Sequence, residues 1–170
     1  ISVYQDGIRI NEPFGDAVNF ELLPKSAIAS MNMMSGSNPL FGLNTLGGAL
    51  SLHTKNGFTH PGHSLEAYSG SFGRDSGTIE TGGNYGNFAY FATGSITKED
   101  GWRDFSPSRV EQFFTNLSYQ NDVTSVDFGV TLVDSDLNGN GASPIELVKA
   151  DREAVFTHPD NTQNELRMFT

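Results

Sequence analysis

The chain has 170 residues, of which 20 are acidic and 10 are basic, so its formal net charge is −10. This length suits one domain, or a small domain with part of another, and the acidic balance argues against a nucleic-acid partner, which would need a basic surface. The sequence has no cysteine and no apolar run of about 18 residues, so it contains neither a disulfide framework nor a segment typical of a transmembrane helix.

The first segment, residues 1–11, predicts a β-hairpin. Asp6-Gly7 is a strong signal for a two-residue turn, because both central positions of that turn need positive φ angles. A loop rich in turn-forming residues follows over 11–16. Pro24 is a good first residue of a helix, so the sequence predicts about two helical turns over 25–29. A short apolar strand is then predicted over 31–34.

Paired glycines mark the end of this irregular first part. Glycine allows backbone angles and close approaches that a Cβ would block, so we assign Gly42, Gly47 and Gly48 to backbone geometry and not to ligand contact. A short strand is predicted directly afterwards, over 49–54. After Gly57 the composition changes, and one alternating strand follows another.

The remainder of the chain predicts a series of antiparallel hairpins. Apolar and polar residues alternate in segments of about ten residues, the length of a β-strand that crosses a bilayer at a tilt of about 45°. Phe91 is an exception, since it lies on the more polar face of its strand, beside Thr93 and Ser95. The predicted strands cover 63–72, 75–83, 88–98, 109–119 and 123–134, and a sixth begins near residue 164.

The connections between these strands alternate in length. Those over 83–87 and 120–123 are short, whereas those over 98–108 and 135–163 are long. Short turns on one side and long loops on the other are the pattern of a transmembrane β-barrel. A soluble antiparallel sheet has the same period of two and is an alternative, but it does not explain the alternating loop lengths.

Several linked motifs resemble the TonB-dependent outer-membrane receptors. Residues 3–15, Val-Tyr-Gln-Asp-Gly-Ile-Arg-Ile-Asn-Glu-Pro-Phe-Gly, are similar to a run in the plug domain of that family. Residues 23–34, the pair Phe41-Gly42 and the segment Leu-Gly-Gly-Ala-Leu-Ser-Leu-His-Thr-Lys over 46–55 are similar to the end of the plug. The motifs appear in the family's order, which is more specific than any one of them alone.

The resemblance implies a mostly β fold: the end of a small α+β plug domain, followed by antiparallel up-and-down hairpins of a transmembrane β-barrel. It places the C-terminal part of the plug at residues 1–57, a linker at 58–63 and the first five to six barrel strands at 64–170. Plugged transporters have about 22 strands, so the resemblance implies a truncated barrel, with most of the wall outside this sequence.

One departure from the family pattern concerns charge. The family usually has a Glu and an Arg in the strand before an Arg-Gly-Pro run, and these two residues form ion pairs with the barrel wall. The matching positions here are Asn32 and Ser35. The usual electrostatic attachment of the plug is therefore in doubt, and other polar contacts are expected to hold it.

The resemblance also implies a function. It implies active uptake of a scarce nutrient, most often a ferric siderophore or similar metal chelate, across the outer membrane of a Gram-negative bacterium. The implied partners are the chelate, outer-membrane lipid and the energy-coupling protein TonB, which would engage a box upstream of residue 1. It implies no enzymatic activity, no cofactor and no nucleic acid. A β-rich outer-membrane adhesin or binding protein without transport activity is the alternative.

Ligand contacts are expected on two groups of exposed turns, the apex loop of the plug and an external loop after the third strand. Recognition residues concentrate on loops that a rigid scaffold positions. For Trp102, an interfacial ring beside a loop ion pair is the alternative interpretation. The predicted ligand-binding residues are Asn11, Glu12, Phe14, Asp16, Trp102, Arg103 and Asp104.

A weak calcium motif begins the last long loop. Asp134, Asp136 and Asn138, followed by Gly139, match the first half of an EF-hand loop. The closing carboxylate, Glu146, is displaced by one position and a strand precedes the motif, so a turn-forming loop without metal is the favoured interpretation.

The same loop contains the pattern Ser143-Pro144-Ile145-Glu146, a capping box that predicts a short helix over 144–151. The sequence shows no nucleophile with a base partner, no phosphate-binding glycine loop and no carboxylate pair on a helix. A calcium-dependent hydrolase would need such a nucleophile, so the sequence predicts a protein that is not an enzyme.

Overall fold

The structure is a computed structural model that describes residues 1–12, 14–36 and 47–170, and its strands form two sheets. The small sheet contains β1 (Ser2–Gln5), β2 (Ile8–Arg9), β3 (Ile28–Met34) and β4 (Ala49–Thr54). Its order is β2-β1-β4-β3, with β1 parallel to β4 and the other neighbours antiparallel. The predicted hairpin turn is confirmed, because Asp6 and Gly7 have φ angles of 47° and 84°.

A small apolar cluster supports this sheet. Val3, Leu23 and Leu52 are buried against one another, and three partly buried side chains surround them, those of Ile10, Val18 and Leu50. Val3 and Leu52 come from the parallel pair β1 and β4, where their strands lie side by side. The cluster therefore depends on the β1–β4 pairing, which brings together residues about fifty positions apart.

The helical segment is shorter than the sequence predicts. Two single-turn 3₁₀ helices cover Phe20–Leu22 and Lys25–Ala27. Pro24 lies at the N-cap of the second turn, and Ile28 already belongs to β3. The prediction of two helical turns over 25–29 is therefore wrong, because pairing with β4 extends β3 back to residue 28.

The large sheet is an antiparallel meander in which each strand pairs with the next in the chain, in the order β10-β9-β8-β7-β6-β5. The predicted hairpins are confirmed, and most strands extend beyond the predicted ends. The six strands are β5 (Gly62–Ser69), β6 (Asp75–Tyr85), β7 (Phe88–Glu99), β8 (Ser108–Gln120), β9 (Ser125–Gly139) and β10 (Asp160–Phe169).

The connections of the large sheet lie at the two opposite ends of its strands. Short turns at 86–87 and 121–124 join strands at one edge, and loops at 70–74, 100–107 and 140–159 join them at the other, which we call the long-loop edge. The last loop begins later than predicted, since residues 135–139 continue β9 and pair with β10. The alternation of loop lengths is nevertheless as the sequence predicts.

The two faces of the large sheet have opposite character. The face toward the small sheet, here the inner face, buries several polar residues, namely Thr93, Asn116, Ser118, Thr131 and Ser135. The outer face exposes large apolar side chains, among them Leu65, Ile79, Phe88, Tyr90, Ile96, Phe113, Leu117, Val126, Phe128 and Leu132. This is the reverse of a soluble sheet, which buries its apolar face.

Aromatic residues mark the short-turn end of the outer face. Tyr85 is 89% exposed, and Phe88 and Tyr90 also face outward there. The ring of Phe88 lies 4.9 Å from that of Tyr119 on the neighbouring strand, measured between centroids. An apolar band that ends in aromatic side chains is typical of a strand surface at a membrane interface.

One short α-helix lies within the 140–159 loop. It is α1 (Ile145–Ala150), as predicted, with Pro144 at its N-cap. The predicted capping box is wrong, since the helix has no side-chain cap and the Ser143 hydroxyl accepts a hydrogen bond from Arg103 instead. No helix among the described residues has the length and apolar character needed to span a bilayer.

Candidate functional site

The apex loop connects β2 with the first 3₁₀ turn, and its side chains mostly serve its own shape. Asn11 accepts a hydrogen bond from the Val3 amide at 2.8 Å and donates to the carbonyl oxygens of Ile1 and Asp16. The Glu12 carboxylate accepts a hydrogen bond from the Asn19 side chain at 2.7 Å. Two of the predicted ligand-binding residues thus hold the loop closed.

The other two predicted residues of the apex loop differ from each other. Asp16 has a positive φ of 54° and forms an ion pair with Arg9 at 2.5 Å. Phe14, in contrast, is 92% exposed. A loop that displays a bare aromatic ring while its polar groups are engaged locally offers one obvious contact point for a ligand.

The second predicted group lies in the 100–107 loop, where Arg103 is enclosed by the 140–159 loop. Its guanidinium donates hydrogen bonds to the Gly141 carbonyl at 3.3 Å, the Ser143 hydroxyl at 2.6 Å and the Ala154 carbonyl at 2.9 Å. The Nε of Arg103 and the Oδ1 of Asn140 are buried without a partner. The predicted ligand-binding arginine therefore directs both terminal nitrogens of its guanidinium to the neighbouring loop.

Trp102 and Asp104 flank this arginine and remain accessible. Trp102 is 50% exposed, and the guanidinium carbon of Arg103 lies 5.6 Å from its ring centroid. The backbone amide of Asp104 donates a hydrogen bond to the Glu153 carbonyl at 3.0 Å, whereas Asp104 as a whole is exposed. Both side chains are at the long-loop edge, as the sequence predicts for residues of an external loop.

Sequence reasoning missed two strained aromatic positions at the same edge. Phe72 and Phe105 have φ angles of 61° and 55°, and both rings are exposed. Positive φ is unusual for a bulky residue, and such strain is found more often at binding and switch regions. Backbone angles cannot be read from sequence, but a Phe beside Gly73 and another between Asp104 and Ser106, both in turn-forming loops, were a detectable signal.

An apolar contact joins the inner face of the large sheet to the segment that carries the small sheet. Phe91 and Phe114 are 1% and 0% exposed, and they form one cluster with Ala27. The two rings lie 6.4 Å apart, and the Lys55 ammonium lies 5.7 Å from the centre of the Phe91 ring. Phe91 is apolar on the otherwise polar face of its strand because it packs against Ala27.

Polar contacts cross the same boundary. Lys55 forms an ion pair with Glu80, with Nζ 3.1 Å and 3.0 Å from the two carboxylate oxygens, and the two side chains are 18% and 24% exposed. Thr93 donates to the Ser26 hydroxyl at 2.8 Å. Gln112 donates to the carbonyl oxygens of Glu21 and Leu23 at 2.6 Å and 3.3 Å.

These contacts supply an attachment that the sequence left open. Asn32 and Ser35 stand where the family that the sequence resembles usually has charges, and other polar contacts were expected to take their place. The Lys55–Glu80 pair is such a contact, although the sequence did not identify either residue as a partner. The signal was present, since Lys55 follows β4 directly and Glu80 lies on the inner face of β6.

The calcium motif does not form an EF-hand loop. Asp134, Asp136 and Asn138 lie in β9 and pair with residues of β10, so the interpretation as a turn-forming loop is also wrong. Asp136 accepts hydrogen bonds from Asn161 and Gln163. In the part of the chain that the structure describes, no group of three His, Cys, Asp or Glu residues is placed to hold a metal ion.

Of the assigned structural glycines, Gly48 has the clearest requirement. Its φ angle is 107°, and a Cβ there would lie 2.3 Å from the Met34 carbonyl oxygen. At Gly47 a Cβ would meet only the Ile1 side chain, at 3.4 Å. Gly42 lies outside the described residues.

Comparison with solved structures identifies the fold. The pyoverdine outer-membrane receptor FpvA from Pseudomonas aeruginosa, bound to pyoverdine, superposes with a TM-score of 0.63 and 18% identity over 84% of this chain and 22% of its own. A second structure, the ferripyoverdine receptor of the same species bound to ferripyoverdine, gives a TM-score of 0.65 and 18% identity over 81% of this chain and 19% of its own.

A third solved structure is the siderophore receptor PiuA from Acinetobacter baumannii, with a TM-score of 0.64 and 16% identity over 82% of this chain and 20% of its own. No protein-family model and no curated protein sequence matches the chain. The chain spans about a fifth of the length of these structures. Together with the two sheets and the inverted polarity of the larger one, this likeness shows that the chain has the fold of part of an outer-membrane receptor, a small mixed sheet followed by antiparallel up-and-down strands.

Proposed function

We propose that the chain is the end of the plug, the linker and the first six wall strands of a receptor that takes up a metal chelate across the outer membrane in a TonB-dependent manner. In this proposal residues 1–57 belong to the plug and 58–61 to the linker, and the wall begins at residue 62 and not at 64, because β5 already pairs with β6 there. A ferric siderophore is the proposed ligand class, because the solved structures with this fold are receptors for siderophores.

The observation that carries this proposal is the inverted polarity of the wall. Thr93 and Thr131 are 2% and 0% exposed on the inner face, whereas Leu65 is 81% exposed on the outer face. Burying hydroxyl groups while exposing aliphatic side chains is unfavourable in water, since the hydrophobic effect acts in the opposite direction. The arrangement suits a wall whose outer face meets lipid and whose inner face meets a plug.

The contacts refine which residues are proposed to meet the ligand. Phe14, Trp102 and Asp104 keep exposed side chains on the apex loop and the long-loop edge. The other predicted residues are committed to local contacts: Asn11, Glu12 and Asp16 in the apex loop and Arg103 between two loops. We assign the first three to ligand contact and the other four to the shape of the binding surface.

A deletion strain tests the proposal in the organism. The gene for the full-length protein is deleted, and iron-limited growth and uptake of radioactive iron are measured with individual ferric siderophores. The deletion strain is expected to lose uptake of one chelate, and the restored gene is expected to bring that uptake back. A strain without TonB is expected to show no uptake of the same chelate. Normal uptake of every siderophore that the parent strain uses, or uptake that persists without TonB, would refute the proposal.

An outer-membrane adhesin is the second candidate, and the exposed aromatic residues Phe72, Phe105 and Phe156 of the long-loop edge favour it. Aromatic side chains are common at the centres of protein interfaces. An adhesin would bind cells or matrix in a TonB-independent manner and would leave siderophore uptake unchanged on deletion.

A further inference from the structure

We infer that Arg103 is a positioning residue that locks the 100–107 loop onto the 140–159 loop and so preassembles the surface that displays Trp102. The lock is a property of the ligand-free protein, and only its consequence for ligand binding rests on the proposed function. The sequence alone assigned Arg103 to the ligand, whereas its contacts assign it to the loops.

The geometry of the guanidinium carries the inference. Its Nη1 reaches the Gly141 carbonyl, and its Nη2 reaches both the Ser143 hydroxyl and the Ala154 carbonyl. Gly141 and Ser143 precede helix α1 and Ala154 follows it, so one side chain ties down both arms of the loop. A planar fork with several donors can do this, whereas a lysine ammonium is a single point on a flexible stem.

Neighbouring backbone contacts strengthen the same junction. The Asp104 amide donates to the Glu153 carbonyl at 3.0 Å, and the Asn140 side chain donates to the Asp104 carbonyl at 3.1 Å. Ser106 donates to the Arg103 carbonyl at 2.6 Å, which holds the 100–107 loop on itself. The two bonds of Asp104 cross between the loops beside the guanidinium, and we expect them to lose their alignment without it.

The lock determines what a ligand would meet. With its Nη1 and Nη2 hydrogen-bonded to the 140–159 loop, Arg103 places its guanidinium near the Trp102 ring, which remains half exposed. Phe105, three residues after Trp102, has an exposed ring and a backbone φ of 55°. Such a backbone angle persists only where the surroundings impose it. A preformed surface avoids the cost of ordering loops at the moment of binding, so its loss lowers affinity without removing any contact.

Hydrogen exchange of the full-length receptor in detergent, without ligand, tests the lock directly. The variant Arg103→Ala is expected to raise exchange in 100–107 and 140–159 by at least about tenfold, while exchange in β8 and the thermal midpoint stay unchanged. Arg103→Lys is expected to behave like the alanine variant. Arg152→Ala is the matched control, because Arg152 lies in the same loop and is exposed without a hydrogen bond to a described residue.

Ser143→Ala is a milder probe that keeps the arginine and removes one acceptor. Ser143→Ala is expected to raise hydrogen exchange by a smaller factor and only in the 140–159 loop. It replaces Arg103→Ala as the test if that variant does not fold. Exchange in Arg103→Ala and Ser143→Ala that equals the Arg152→Ala control would overturn the inference.

Ligand binding separates the lock from the proposed function. Once the growth assay has identified a ferric siderophore, Arg103→Ala is expected to bind it about tenfold more weakly, and saturating ligand is expected to restore protection of both loops. Restored protection distinguishes a positioning role from general damage to the fold. A change in exchange without any siderophore bound by the parent protein would refute the proposed function and leave the lock standing.

Discussion

Truncation of Phe91 is the sharpest test of how the segment that carries the small sheet is attached to the large sheet. The ring is 1% exposed and packs with Phe114 of β8 and with Ala27 in the second 3₁₀ turn. A buried aromatic side chain removes about 150–250 Å² from water, which at about 25 cal/mol per Å² corresponds to roughly 4–6 kcal/mol. Measured Phe→Ala losses of about 3–5 kcal/mol lie in the same range, and Phe114 shares the burial, so only part of the loss falls on the plug contact.

The assay is denaturant unfolding of the full-length receptor combined with hydrogen exchange. Phe91→Ala is expected to lower the free energy of unfolding by about 3–5 kcal/mol and to speed exchange at the Lys55 amide, which donates to the Ala27 carbonyl. Phe88→Ala is the matched control, because Phe88 lies on the same strand and is 64% exposed on the outer face. Equal losses for the two variants, or no change in plug exchange, would refute the inference that Phe91 seats the plug.

Three further substitutions test separate contacts. Glu80→Gln leaves the Lys55 ammonium without its carboxylate at a partly buried site, so the free energy of unfolding is expected to fall by about 1–3 kcal/mol. A double-mutant cycle with Lys55→Met that shows no coupling energy would contradict a stabilising ion pair. Gly48→Ala places a Cβ against the Met34 carbonyl at a strained φ, and denaturant unfolding is expected to show a loss of about 1–3 kcal/mol, whereas Gly47→Ala should be nearly neutral. Leu117→Arg tests the lipid-facing band: refolding into vesicles is expected to cost up to about 2–4 kcal/mol, and a change within about 0.5 kcal/mol, as on a water-exposed surface, would count against the band.

Local periodicity made the wall predictable from the sequence. Alternation over about ten residues identifies strands and their two faces, because successive side chains of a strand point in opposite directions. The Asp6-Gly7 turn was predictable for a similar local reason, since few residue pairs suit two positive φ angles. The same local signals set strand ends poorly, and β9 continues through Asp134–Gly139 because pairing with β10 outweighs the turn-forming character of that segment.

The contacts of the candidate site depend on tertiary structure and were predicted less well. Ser143 matches a capping residue in sequence, yet Arg103 reaches it from a loop 40 positions away. Lys55 and Glu80 are 25 positions apart, and neither lies in a motif that names the other as its partner. Phe91 was visible in the sequence as an exception to the alternation, but its cause lies in Ala27, which only the fold brings against it.

The distribution of plug contacts has a mechanical consequence. The contacts to the large sheet described above involve residues 21–27 and Lys55, and Gln5 of β1 adds one more, since its side chain donates to the Thr131 hydroxyl at 3.5 Å. Strand β1 lies near the other end of the segment and is joined to β4 by parallel pairing. In the proposed receptor, a force applied at residue 1 would load the β1–β4 pairing and the Gln5–Thr131 hydrogen bond before it loads the Phe91 cluster or the Lys55–Glu80 ion pair. Because a hydrogen bond contributes only about 0.5–1.5 kcal/mol net, we expect these contacts of β1 to break first, and we expect Glu80→Gln to weaken the later anchor at Lys55 without changing this order.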